Sequence, residues 1–370
     1  MKFIVSSTEL QKALSKTSAV VPTKSTLPIL ENLLLELEGD ELKITATDLE
    51  LSLSVTTRLK GSEDGKIAVP ARRVLETVRT LPETQVTFSA DSSNKVAILT
   101  ETGEYRLTGE SSEEFPSMPQ LKGDQQMAMP AEMLRRLIGK TLFAVSTDEL
   151  RPAMMGVLFQ MKKDELCAVS TDGHRLVKLT VQKSPLKKGE KDIVIPGKAL
   201  NILAKSAEES AYTVFLNDSH VMFQFGNTIL ISRLIEEKYP NYESVIPKDN
   251  DKRMVVNRSE MLASVRRVSL YSSLTTHQIR LSLQKNELKL SAEDIDFGGE
   301  ARELMSCQYD QEPLEIGFNA GYMVDVLSHI DTDEATFLFS SATRAALVQP
   351  GSQREQEELL MLVMPVRLNP

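Results

Sequence analysis

The sequence predicts an α+β fold, with amphipathic helices on one side of antiparallel sheets, built as one module repeated three times. Three observations predict it. The segments "NLLLELEGDELKITATDLELSLSV" (32–55), "GVLFQMKKDELCAVSTDGHRLVKL" (156–179) and "IRLSLQKNELKLSAEDIDFGGEAR" (279–302) share one order: alternating strand, polar turn ending in Glu-Leu, second strand, Asp-containing turn, third strand. Their anchors recur at near-fixed intervals. Leu42, Leu166 and Leu288 stand 124 and 122 residues apart, and Asp48, Asp172 and Asp294 repeat both intervals. The chain of 370 residues is also too long for one ordinary core.

The flanking elements follow the same order. Ahead of each segment lie a short strand and an amphipathic helix, at 3–21, 127–146 and 254–273, each with an N-cap residue or Pro before apolar positions at helical spacing. Leu10, Leu134 and Leu262 serve as the helix anchors. Behind each segment comes a second strand–helix unit, at 66–82, 192–206 and 314–330. Further strands close each module: "QVTFSA" with "KVAILT", "YTVFLN" with "HVMFQF", and "ATFLFS" with "LLMLVM". Polar stretches at 119–126 and 247–253 read as linkers, which sets domains at 1–121, 122–249 and 250–370.

Composition narrows the class. No apolar run reaches the length of a membrane span, and the N-terminus lacks the apolar core of a signal peptide, so a cytoplasmic protein is expected. Cys167 and Cys307 match no metal or redox spacing, and no metal or cofactor is expected. A net charge of −9 argues against a protein that holds DNA mainly by neutralising phosphates.

Five of the six helices nevertheless carry cations off the apolar face: Lys12 and Lys16; Arg72, Arg73 and Arg79; Arg136 and Lys140; Lys198 and Lys205; Arg266 and Arg267. Solvated helix faces are often basic, but recurrence across three modules also fits a weakly cationic surface on an acidic protein. Such modules can form a curved array with that surface inside, and closing the array requires complementary ends. "GEYRLTG" (103–109) alternates like an edge strand, with Tyr105 and Leu107 on one face. "VSLYSSL" (268–274) places Leu270 and Tyr271 just past a helix. Ordinary core packing is the competing reading for these four residues.

"STDGHRL" (170–176) gathers a carboxylate, an imidazole, two hydroxyls and a guanidinium. The repeat makes it a turn between strands, and only the middle copy carries Gly-His-Arg. A hydrolase centred on Asp172 and His174 needs a nucleophile–base pair and an oxyanion site. No nucleophile elbow or Gly-rich phosphate loop accompanies the turn, and the histidines (174, 220, 277 and 329) show no ligand spacing.

A wider set of motifs carries a resemblance. "MKFIV", "TLPILENLLLE" (26–36), "TATDLELS" (45–52), "VPARRVLETVRTLP" (69–82), "EEFPSMP" (113–119), "RPAMMGVLF" (151–159), "STDGHRL", "YPNYESVIP" (239–247), "IGFNAGYMVDVL" (316–327) and "LVMPVRL" (362–368) are collinear along the whole chain. Together they resemble the bacterial DNA polymerase III beta subunit, the sliding clamp family. The resemblance implies three clamp domains per chain and a ring-shaped homodimer around double-stranded DNA, with its helices inside. It implies partners as well: the DNA polymerase III alpha subunit, the clamp loader and other proteins with clamp-binding peptides.

For those peptides the resemblance implies a hydrophobic pocket. By motif match it comprises Met154, Thr171, Gly173, His174, Arg175, Leu176, Pro240, Val245, Asn319, Tyr322, Leu362, Val363, Met364, Pro365, Val366, Arg367 and Leu368. Apolar side chains would bury a Leu-Phe type anchor, while Arg175 and backbone groups fix the polar part. DNA-facing residues are Lys24, Arg72 and Lys198, with Arg136 of the third helix; Tyr105, Leu107, Leu270 and Tyr271 are the interface set. Met154, Ser244, Asp148 and the Asn369-Pro370 extension depart from the family's pattern, which leaves peptide preference and loop–DNA contact open. A monomeric scaffold that binds proteins but not DNA is the remaining rival.

Overall fold

The computed structural model describes residues 1–119, 121, 125–185, 189–206, 211–295 and 297–368; part of the first expected linker and the Asn369-Pro370 extension lie outside them. The first repeat runs β1 (Lys2–Ser6), α1 (Ser7–Thr17), β2 (Asn32–Glu38), β3 (Glu41–Thr47), β4 (Leu51–Arg58), β5 (Lys60–Glu63), β6 (Gly65–Pro70), α2 (Ala71–Thr80), β7 (Gln85–Ala90), β8 (Lys95–Leu99) and β9 (Glu104–Thr108). The second runs β10 (Gln125–Pro130), α3 (Ala131–Thr141), β11 (Gly156–Met161), β12 (Leu166–Thr171), β13 (Arg175–Val181), β14 (Lys191–Pro196), α4 (Gly197–Ala204), β15 (Ala211–Leu216), β16 (His220–Phe225) and β17 (Thr228–Arg233). The third runs β18 (Lys252–Asn257), α5 (Arg258–Ser269), β19 (Gln278–Gln284), β20 (Glu287–Asp294), β21 (Gly299–Ser306), β22 (Leu314–Asn319), α6 (Ala320–Ser328), β23 (Glu334–Phe339), β24 (Ala346–Pro350) and β25 (Glu357–Val363).

All six expected helices are present, and side-chain caps mark the starts of α1, α5 and α6. Ser6 Oγ accepts from the Glu9 amide at 3.2 Å, Asn257 Oδ1 from Glu260 at 3.0 Å, and Asn319 Oδ1 from Gly321 at 2.9 Å. Two expectations need correction. Met261, fully buried, occupies the core position matching Leu10 and Leu134, while Leu262 is only half-buried. The closing strands of the third repeat are not neighbours either. The short strand β24, "ALVQP", separates β23 from β25; it is five residues long, with Ala at its start and Gln-Pro at its end, so its apolar signal is weak.

The chain forms two compact units, Met1–Glu132 with Lys205–Leu234, and Met133–Ala204 with Ile235–Pro370. The middle repeat is therefore divided between them. The cause is strand pairing. In the first unit β4 pairs antiparallel with β17 and completes an eight-stranded sheet, β6-β2-β3-β4-β17-β16-β15-β10. In the second unit β13 pairs with β25 in the same way, giving β14-β11-β12-β13-β25-β24-β23-β18. A continuous backbone ladder joins repeats more extensively than a linker does. The second expected linker is itself ordered, since Asn250 Nδ2 donates to the Leu338 and Ala345 carbonyls at 2.9 and 3.0 Å.

Each unit also holds a smaller sheet, β5-β1-β7-β8-β9 in the first and β21-β20-β19-β22 in the second. These end at β9 and β21, the strands equivalent to the ones that join repeats in the larger sheets.

Candidate functional site

The turn after β12 is built by its own polar side chains. Asp172 Oδ1 accepts from the His174 and Arg175 amides at 2.9 and 3.0 Å, and Thr171 Oγ1 accepts from the Gly173 amide at 3.0 Å. Gly173 sits at φ +91°, where a side chain would be strained. Asp172 Oδ2 receives the Arg175 Nε at 3.0 Å, so this carboxylate does not orient the His174 imidazole. The imidazole instead stacks on Tyr322 of α6, with ring centroids 5.9 Å apart. Asp172 and His174 are thus not arranged as the pair that the hydrolase reading requires.

Arg175 has a different task from the one expected. Its side chain is 11% exposed, and its guanidinium also donates to Asp325 of α6 and, at 2.8 Å, to the Phe143 carbonyl. It lies over the rings of Phe143 and Tyr322 at 5.3 and 4.9 Å. Arg175 therefore ties the turn to α6 and to the end of α3, rather than waiting for a ligand's polar group. Burial pushes the Tyr322 phenol above its ordinary pKa.

Beside the turn, all within the second unit, opens a cavity of about 720 Å³. Nine expected residues line it: Met154, Thr171, Gly173, Arg175, Leu176, Pro240, Val245, Leu362 and Met364. Leu176 and Leu362, fully buried and paired across β13 and β25, form its floor. They belong to an apolar cluster with Leu158, Val169, Tyr239 and Tyr242. Val245 and Met364 stand on its rim 54% and 40% exposed, apolar surface left without cover in this chain.

The other expected pocket residues are placed next to the cavity rather than around it. The Met364 amide donates to the His174 carbonyl at 2.8 Å, and the Val366 amide to the Gly317 carbonyl at 2.9 Å, so the tail runs from the turn to β22. Val363 is fully buried at the end of β25. Leu368 lies so near Gly317 that a Cβ there would meet its Cδ2 at 2.7 Å. Asn319 spends its side chain capping α6. Pro365 is half-buried and Arg367 exposed.

Sequence reasoning missed Tyr242, Ile246, Thr343, Arg344 and Ala345 among the lining residues. Tyr242 belongs to the "YPNYESVIP" motif, and its hydroxyl donates to Gln160 Oε1 at 2.6 Å. The 343–345 turn carried no signal, because its place depends on β24.

Three domain profiles match the chain in order: the DNA polymerase III beta subunit N-terminal domain over residues 1–119, its central domain over 128–241 and its C-terminal domain over 243–367. The chain belongs to the DNA polymerase III beta subunit family, the beta sliding clamps. It is 31% identical to the beta sliding clamp of Chlamydia pneumoniae, with all of both chains covered. Among solved structures it is similar to the sliding clamp of Bartonella birtlesii bound to griselimycin, at a TM-score of 0.95 and 31% identity, each chain fully covered. The Bacillus subtilis clamp gives 0.92 and 27%, again over both whole chains. Clamps of this family are processivity factors, and the fold is three repeated clamp domains with helices on antiparallel sheets.

The remaining expected clamp residues divide. Lys24, Arg72 and Lys198 are exposed, Arg72 within 2.9 Å of Glu76. Arg136 is a correction. Its side chain is 13% exposed and ion-paired with Asp331 and, at 2.8 Å, Glu357. Lys140, 9% exposed, meets Asp331 at 2.6 Å. Burial favours a neutral Asp331, but hydrogen bonds from Lys140 and Arg136 outweigh it and hold the carboxyl below its ordinary pKa. These cations lock α3 to the third repeat and offer no free charge to DNA.

Of the interface set, Tyr105, Leu270 and Tyr271 are exposed, Leu270 by 80%. Leu107 is 7% exposed and packs in its own sheet, which corrects the expectation that it waits for a partner. Leu274, Ile295, Phe297 and Leu304 are further exposed apolar residues, marked by no motif in the sequence. No helix among the described residues is long and apolar enough to cross a membrane, and no group of three His, Cys, Asp or Glu among them could hold a metal.

Proposed function

We propose that two copies of this chain close into a ring around duplex DNA and tether a replicative polymerase to it. The observation that carries the closure is the strand order. Each eight-stranded sheet joins a half-sheet of one repeat to a half-sheet of the next through β4–β17 or β13–β25. The leftover halves are β22-β19-β20-β21 of the third repeat and β1-β7-β8-β9 of the first, with β21 and β9 at their edges. Pairing β9 with the partner's β21 makes a third sheet of the same kind, and two such junctions close the assembly.

The register follows from the repeat. Phe88, Val214 and Phe337 are equivalent through their pairing with Phe3, Met127 and Met254. This makes Tyr105 equivalent to Leu230 and Met361, which face Leu53 and Val177. On the other side Leu42, Leu166 and Leu288 make Ala301 equivalent to Leu53 and Val177. Tyr105 then faces Ala301 of the partner subunit. Arg106 faces the partner's Glu300, and Glu104 faces the partner's Arg302. Both couples are of opposite charge. In the single chain Arg106 pairs with Glu104 at 2.7 Å and Arg302 pairs with Glu300, so the ions only exchange partners.

A closed ring holds DNA by topology, which suits a net charge of −9: weak contacts from residues such as Lys24, Arg72 and Lys198 permit sliding. The cavity beside the 170–176 turn takes apolar peptides of the DNA polymerase III alpha subunit, the clamp loader and other clamp-binding proteins. A polymerase held there rebinds DNA as an intramolecular event, at raised effective concentration. The repeating units are 1–121, 122–249 and 250–370. The chain acts in the cytoplasm, catalyses no reaction and needs no cofactor. A ring loaded on nicked circular DNA should remain through gel filtration and slide off after linearisation; equal retention on both forms overturns topological binding.

A further inference from the structure

The two eight-stranded sheets share their strand order, and each carries a cavity on the same face, the two overlapping at the equivalent positions Leu362 and Ile231. In the first unit a cavity of about 600 Å³ lies on β2, β3, β4, β16 and β17 beneath the 112–119 segment. The peptide cavity lies on the equivalent sheet beneath 240–249. The covering segments also match: "EEFPSM" (113–118) and "EKYPNY" (237–242) each seat a buried aromatic, Phe115 or Tyr239, before Pro.

The register shows what differs. Leu362, which lines the first cavity, becomes Ile231, which lines the second, while Thr45 and Lys43 of the second stand where Val169 and Cys167 belong to the apolar cluster beside the first. An apolar wall remains in Ile231, Ile229, Met222 and Met118. Polar groups now stand beside it. Lys43 and Lys66 flank Glu36 at 3.4 and 2.6 Å, two cations sharing one carboxylate. Thr45, 1% exposed, lines the cavity with an Oγ1 that has no hydrogen-bond partner. A buried hydroxyl without a partner costs stability unless an occupant meets it.

We propose that this cavity is a second peptide site, taking a short partner segment that carries one apolar anchor beside a carboxylate. The apolar wall takes the anchor. The ammonium groups of Lys43 and Lys66 take the carboxylate, and Thr45 Oγ1 completes the polar contacts. The choice of a peptide rests on the reading of the first cavity; the carboxylate rests on the residues of the second.

Methionines make the two cavities distinguishable: Met118 and Met222 line the second, Met154 and Met364 the first. The full chain, labelled with ¹³C at its methionine methyls, is titrated with acetyl-Gly-Asp-Leu-Phe-Gly-amide and with its Asn analogue. The Met118 and Met222 resonances should shift saturably with the Asp peptide. The Asn peptide should bind there about tenfold more weakly, a difference of about 1.4 kcal/mol. Lys43→Gln with Lys66→Gln should abolish that preference while melting like the parent. Val245→Glu should remove the Met154 and Met364 shifts and leave those of Met118 and Met222. Unmoved Met118 and Met222 resonances, or equal affinity for both peptides, overturn the proposal. Movement of Met118 and Met222 alone in the parent chain upholds it and overturns the reading of the first cavity instead.

Discussion

Replacing Arg106 with Glu tests the register on which ring closure depends. In that register Arg106 faces the partner's Glu300, and the substitution turns an attraction into a repulsion. Cross-strand charge pairs are worth roughly 0.2–1 kcal/mol each, so the reversal costs about 0.4–2 kcal/mol per junction. A closed dimer has two junctions, which gives about 1–4 kcal/mol, or roughly a 5- to 700-fold rise in the dimer Kd. Arg106 is 77% exposed in the single chain, so the lower half of that range is the better expectation, and added salt should shrink the effect. Sedimentation equilibrium over a dilution series measures it, with the thermal melt as a control for folding. Adding Glu300→Arg restores opposite charges at both couples, because Glu104 still faces the partner's Arg302. A folded Arg106→Glu chain with an unchanged dimer Kd, or a folded double variant that fails to recover, would refute the register.

Three further outcomes follow from the geometry. Deleting residues 364–370 should leave the dimer intact and remove polymerase binding, since Met364 forms the exposed rim of the cavity; unchanged affinity in a surface-binding assay rules out the pocket. Arg175→Met leaves Asp172 and Asp325 without their shared cation, and should lower unfolding stability in urea by about 2–4 kcal/mol, discounted because Asp325 is 44% exposed. His329 stacks on Phe143 at 3.8 Å, and burial holds its imidazole below the ordinary value of 6.5. The folded chain therefore binds that proton less readily than the unfolded one, so the histidine's contribution is complete above about pH 6.5, begins to fall there and is lost as the pH drops through the lower folded value. His329→Asn should flatten the fall in melting temperature between pH 7 and 5; an identical slope would exclude His329 as its source.

The repeat, the six helices and the turn at 170–176 could be read from the chain alone, because they depend on local periodicity and on spacing between anchors. Leu42, Leu166 and Leu288 hold the same core position in three copies, and each is fully buried. The pocket's apolar residues came through the family resemblance and not through periodicity; Leu176 and Leu362 meet because β13 pairs with β25. Long-range partners were not legible. Arg136 and Lys140 have the spacing of a solvated basic face, yet Asp331 and Glu357, roughly two hundred residues further on, claim their charges. Arg175 reads as a ligand-binding cation until Asp325 and the Phe143 carbonyl occupy it. Leu107 shares a face of β9 with Tyr105, but only the packing at each end of the strand decides that one is buried and the other exposed. Periodicity records which face of an element is apolar. Which charge meets which, and which edge remains open, is decided only when strands distant in the chain are brought side by side.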